Sequence, residues 1–115
     1  MDFERYQEQV KRTASGEVSG IYAGIYALAT WALVLAGKGG EMADTLMMSA
    51  SRNYRPDQMD MAKELGDMLY YLAMLANECG LSLEAIAQGN IKKLAMRYPD
   101  VFDSGRSQNR AASDS

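Results

Sequence analysis

The sequence predicts an all-α fold, an antiparallel bundle of about four helices per chain. Three observations predict it. Apolar residues recur three and four apart along most of the chain, and strand-like alternation of useful length is missing. Helix-start and helix-stop residues (Asp57, Gly80, Ser82 and Pro99) fall between those periodic stretches. The connections they leave are short, as antiparallel neighbours require.

The first element is a short polar helix over Asp2 to Thr13, with Phe3, Tyr6 and Val10 on one face. Ala14-Ser15-Gly16 breaks it. One long helix, with room for a kink, follows from about Ser19 to Ser51. Its first part, Ile21 to Ala36, is apolar on all sides, the pattern of a helix buried all round. Its middle, Gly37-Lys38-Gly39-Gly40-Glu41, holds three glycines, each costing on the order of 1 kcal/mol relative to alanine. Such a cost suggests close approach of a neighbouring helix or a ligand, or a local break. Arg52 to Asp57 forms a loop, and Asp57 N-caps a third helix from Gln58 to Glu78. Gly80 ends that helix as its left-handed residue. Ser82 caps a fourth helix that runs to about Tyr98, just before Pro99.

A chain of 115 residues fits one small domain, placed at residues 1–102. The tail, 103–115, is rich in Ser, Arg and Asn and is expected to be disordered. The two uncharged helical stretches carry more apolar surface than one small chain covers, so self-association as a homodimer or a tetramer is expected. The net charge of −3, from 12 basic and 15 acidic side chains, gives no support to a nucleic acid polymer as partner. It leaves open a small anionic substrate, because a metal reverses the local sign of a carboxylate-lined site. A lone cysteine, Cys79, and a charged N-terminus point to a reducing, cytoplasmic setting. With no histidine, imidazole base chemistry and zinc sites are excluded, and any metal site is an oxygen site. Val18 to Gly37 carries no charge, but Ser19, Gly20, Gly24, Thr30 and Gly37 dilute its apolarity. A buried helix is therefore preferred to a membrane span.

The chemistry concentrates on the third helix. Glu64 and Asp67 share one face, and Met68 to Ala76 follows without a charge. A carboxylate at the edge of a buried stretch is paired, protonated or bound to a metal; the plainer alternative is a solvated helical face. Glu41, with Asp44 three residues on, lies about as far from the loop near Tyr54 as Asp67 does. Antiparallel pairing of the two helices then brings Glu41 within reach of Glu64 and Asp67. Three carboxylates from two facing helices suit a hard cation, Mg2+ or Mn2+.

In order along the chain, Ala36-Gly37-Lys38-Gly39-Gly40-Glu41-Met42-Ala43-Asp44, then Lys63-Glu64-Leu65-Gly66-Asp67-Met68-Leu69-Tyr70-Tyr71-Leu72-Ala73, then Gly80-Leu81-Ser82-Leu83-Glu84, and Asn90-Ile91-Lys92-Lys93-Leu94 through Arg97-Tyr98-Pro99 resemble the MazG-like nucleoside triphosphate pyrophosphohydrolases. The resemblance covers roughly Tyr6 to Phe102. It implies hydrolysis of a nucleoside triphosphate to its monophosphate and pyrophosphate, as house-cleaning of the nucleotide pool. It also implies a Glu-x-x-Glu pair on one helix and a Glu-x-x-Asp pair on the next, together holding magnesium. Glu41 matches the second residue of the first pair, and Glu64 and Asp67 match the second pair. These three are the implied catalytic and metal-binding residues.

Lys38 stands where the family has its first glutamate. The exchange moves the local charge by two units towards positive and removes an oxygen ligand. Lys38 either pairs with Glu41, three residues away, or contacts a phosphate. Two readings follow: an active hydrolase, or a catalytically weak or inactive nucleotide-binding relative of the same fold. Asn90, Lys93 and Arg97 form one stripe on the last helix. The resemblance implies sugar and phosphate contacts for them; a solvated face with cations near a helix C-terminus is the plainer alternative. Trp31, Tyr22, Tyr26, Tyr70 and Tyr71 read as core in preference to a base-stacking platform, and Met42 and Met61 as adaptable packing.

Overall fold

The computed structural model describes residues 1–13 and 24–99. The described chain is helical: α1 Phe3–Lys11, α2 Ile25–Ser51, α3 Gln58–Cys79 and α4 Leu83–Arg97, with no strand among the described residues. It divides into two compact units, Met1–Ser82 and Leu83–Ser115. The first contains α1 to α3 and the second contains α4. The expected break at Ala14-Ser15-Gly16, the start of the expected long helix and the expected tail at 103–115 lie outside the described residues.

Local sequence sets the helix ends. Asp2 N-caps α1 by accepting from the Arg5 N–H at 2.8 Å. Asp57 does the same for α3, accepting from Met59 N–H at 2.7 Å and Asp60 N–H at 3.4 Å. At the far end of α3, Gly80 adopts φ 69°, the left-handed conformation glycine reaches without a Cβ penalty. Leu81 N–H then donates to the Ala76 carbonyl and Gly80 N–H to that of Asn77, closing the last turn as a Schellman motif. α2 ends the same way around a residue the sequence does not flag. Asn53 sits at φ 57°, Tyr54 N–H donates to the Ser49 carbonyl, and Asn53 N–H donates to that of Ala50. Asparagine is one of the few side chains that tolerate this region.

α2 and α3 form an antiparallel hairpin. Trp31 packs against Tyr70 and Tyr71, with ring centroids 6.1 and 6.4 Å apart, and the Trp31–Tyr70 pair meets edge to face at 81°. Ala27, Trp31, Ala73, Met74 and Ala76 are buried, so the seam rests on one stripe of each helix. The aromatic residues are therefore core at Trp31. Tyr26 is exposed, and Tyr22 lies outside the described residues. α1 lies on α3, burying Val10. Thr13 hydrogen-bonds Tyr70 at one end of their contact. At the other end Gln7 Nε2 donates to Asn77 Oδ1 at 3.0 Å and to the Leu81 carbonyl at 2.9 Å, and Asn77 Nδ2 donates to the Gln7 carbonyl at 3.3 Å.

Two expectations about α2 change. Its apolar first part is not buried all round: Ile25, Tyr26 and Leu33 are each at least 69% exposed, because α3 covers only one side within this unit. The glycine cluster does not break the helix, which runs unbroken to Ser51. A Cβ on Gly37 or Gly40 would meet open space, and one on Gly39 would lie 3.9 Å from the Met68 methyl. At 3.9 Å a Cβ makes ordinary van der Waals contact, so no close approach within this unit requires any of the three glycines. No described helix is long and apolar enough to cross a membrane.

The Gln7 clamp yields a stability prediction. Gln7→Leu removes the partner of a part-buried amide and of the Leu81 carbonyl, and should cost about 1–3 kcal/mol. The urea midpoint measures it, and a shift equivalent to less than about 0.5 kcal/mol would show that the clamp contributes little.

Candidate functional site

The hairpin register decides which charges meet. Lys38 on α2 stands opposite Glu64 and Asp67 on α3, and Glu41 lies one turn nearer the loop. The Lys38 ammonium donates to Glu64 Oε2 at 2.6 Å and approaches Asp67 Oδ2 at 3.2 Å and Glu41 Oε2 at 3.9 Å. The predicted contact with Glu41 is present, but it is the longest of the three. The two shorter ones cross the seam, where sequence spacing alone does not reach. Three and four residues further along the same face of α3, Tyr70 and Tyr71 continue into the aromatic core.

The cluster is layered. The Lys38 side chain is 16% exposed, against 39% for Glu64, 56% for Asp67 and 75% for Glu41. The lysine side chain is the most covered member of the cluster. Donating to Glu64 foremost, and next to Asp67, raises the Lys38 pKa above the ordinary lysine value despite the opposing cost of desolvation. Asp44 is absent from the cluster and lines a separate depression with Met47, Met48 and Tyr54.

Among the described residues, no three His, Cys, Asp or Glu side chains are gathered as a metal-ligand set. The point on which Glu64 and Asp67 converge holds an ammonium. The donor chemistry still fits a hard divalent cation: magnesium takes oxygen ligands, and one or two carboxylates hold it when substrate phosphates complete its shell.

Beside the cluster a cleft of ≈ 440 Å³ runs along the seam to the hairpin loop. Met42, Leu46 and Met61 give it an apolar lining, and Tyr54 stands towards its loop end. Its charged residues are Glu41, Asp57, Asp60 and Glu64 against Lys63. Sequence reading assigned Met42 and Met61 to packing and gave Tyr54 no role. The usable signal was the i, i+4 pair Met42 and Leu46 on the face that also carries Glu41 and Lys38. Asn90, Lys93 and Arg97 lie on α4, with Asn90 and Lys93 exposed and Arg97 half-buried. They belong to the second unit.

A helical hairpin with facing acidic side chains and a lysine between them defines the class, a helical protein with a charged interhelical site. The sequence model of the MazG nucleotide pyrophosphohydrolase domain matches residues 28–102, and the chain belongs to that family. It is also similar to Gene 37 protein of Mycobacterium phage L5, 28% identical over 114 residues that cover 96% of this chain and 100% of that protein. No solved structure matches.

The raised Lys38 pKa gives a pH prediction with a definite sign. A lysine whose folded value exceeds its unfolded one contributes stability that is fully present below the unfolded value, about 10.4. That contribution is lost as pH rises through the raised folded value. The melting-temperature difference between the parent and Lys38→Met should stay level from neutral pH to about 10 and shrink above it. A difference that already vanishes by about pH 9 would contradict the ion-pair assignment.

Proposed function

We propose that this chain hydrolyses nucleoside triphosphates to a nucleoside monophosphate and pyrophosphate in the cytoplasm, with Mg2+ or Mn2+ as cofactor. The observation that carries this reading is the convergence of Glu64 and Asp67 on one point, at 2.6 and 3.2 Å, inside the family-matched residues. Glu64, Asp67 and Glu41 are the residues that would hold the cation. When bound, it supplies charge neutralisation on the triphosphate and lowers the pKa of water.

The rest falls to the chain itself. Glu41 is the most exposed carboxylate and the least engaged by Lys38, at 3.9 Å. In this reading Glu41, at the edge of the cation site, also orients the attacking water and accepts its proton as the anhydride bond between the α- and β-phosphates breaks. The cleft offers an apolar bed for the nucleoside, with the Tyr54 ring beside it. Its acidic lining repels a bare triphosphate, so the phosphates belong at the Lys38 end and in company with a cation.

A second reading is favoured by the 2.6 Å contact between Lys38 and Glu64. With its carboxylates occupied, the chain is a weak or inactive nucleotide-binding relative. Pyrophosphate release over a panel of nucleotides, with and without magnesium, separates the two. Under the first reading Glu64→Gln and Asp67→Asn each lower turnover by roughly 100-fold or more. Nucleotide binding by calorimetry without any pyrophosphate release would establish the second.

The same proposal includes a homodimer or a tetramer that covers Ile25, Tyr26 and Leu33 on α2, large apolar side chains this unit leaves to solvent. Light scattering should show an assembly larger than one chain, which Leu33→Glu dissociates. A stable, folded monomer at micromolar concentration would sink this part.

A further inference from the structure

We propose that Lys38 is an exchangeable placeholder for the metal: it holds Glu64 and Asp67 while no nucleotide is bound, and moves to the phosphates of an arriving triphosphate, which frees both carboxylates for the divalent cation. The proposal rests on the reading of the chain as a nucleotide pyrophosphohydrolase and adds an order of events to it.

Geometry supports the placeholder role. One ammonium lies 2.6 Å from Glu64, 3.2 Å from Asp67 and 3.9 Å from Glu41. A metal at that point and the Lys38 ammonium exclude each other by volume and by charge. The carboxylates are more exposed than the lysine, so a metal arriving from solvent meets side chains already committed inward. An anionic partner replaces the charge contacts that Lys38 gives up on leaving the carboxylates, which turning out to water does only in part. A triphosphate supplies such a partner, and the four-carbon stem of lysine lets its ammonium swing between positions. In the exchange each charge keeps a counter-charge: lysine gains phosphate oxygens and the carboxylates gain the cation. No bond is made or broken.

The test uses the full chain and Mn2+ as a spectroscopic probe, read by water-proton relaxation or electron paramagnetic resonance. Mn2+ alone should bind the parent weakly and Lys38→Met roughly tenfold or more tighter. An α,β-methylene triphosphate analogue, which resists cleavage, should raise Mn2+ affinity in the parent by a factor that largely disappears in Lys38→Met. Without metal, the analogue should bind the parent more tightly than Lys38→Met. Lys38→Met/Glu64→Gln should lose the Mn2+ gain, which places that gain at this cluster. Equal Mn2+ affinity of the parent and Lys38→Met would overturn the proposal, as would a gain that survives Glu64→Gln. Pyrophosphate release is measured separately on the parent. Turnover with equal Mn2+ affinities leaves the hydrolase reading standing and removes the placeholder. The reverse result, competition without turnover, keeps the placeholder in a chain that binds nucleotide and does not cut it.

Discussion

The antiparallel register of α2 against α3 is the constraint on which the rest of the first unit depends. Trp31 opposite Tyr70 and Tyr71 fixes how far the two helices slide past one another. Two turns along α2, the same register delivers Lys38 to Glu64 and Asp67. A slip of one helical turn, about 5.4 Å, would put Glu41 there and make the cluster wholly acidic. Large aromatic side chains suit this task, since their shape penalises such a slip more than methionine or alanine would.

Charge and burial in the cluster run opposite to the usual arrangement, in which lysine carries its ammonium out to water on a long stem. Here the lysine side chain is the least exposed of the four, and three carboxylates from two helices lie within 3.9 Å of its ammonium. Surface ion pairs contribute little on their own. What this one does is chemical: it neutralises acidic groups whose mutual repulsion would push the hairpin apart and it keeps them close together. The cleft beside it continues the acidic character towards the loop, tempered by Lys63. An anionic substrate is accommodated there only with cations at its phosphate end.

Much of this was legible in the residues. The caps at Asp57 and Gly80, the hairpin and the level of Glu64 and Asp67 followed from spacing and turn chemistry, which are local. Lys38 was recognisable as an oddity from the family pattern. Its two shorter contacts were not, because contacts across a seam depend on register; the pairing with Glu41, three residues along the same helix, was the local one and is present. The expected all-round burial of α2 failed for another reason. Periodicity tells which faces are apolar, whereas coverage depends on how many neighbours the chain supplies, and α2 meets its main neighbour on one side only. Asn53 as a helix-ending residue was missed because asparagine takes the left-handed region less often than glycine does.

The Gln7 clamp has a consequence for the order in which the first unit assembles. Its hydrogen bond to the Leu81 carbonyl joins residues 74 apart in sequence, whereas the two helices of the hairpin are joined by the short loop around Asn53. Closing the longer loop costs more chain entropy, and the cost is met before the contact returns anything. The hairpin is thus the natural nucleus, with α1 as the last piece to dock. The N-terminal helix then acts late, as a latch: its loss would speed unfolding more than it slows folding.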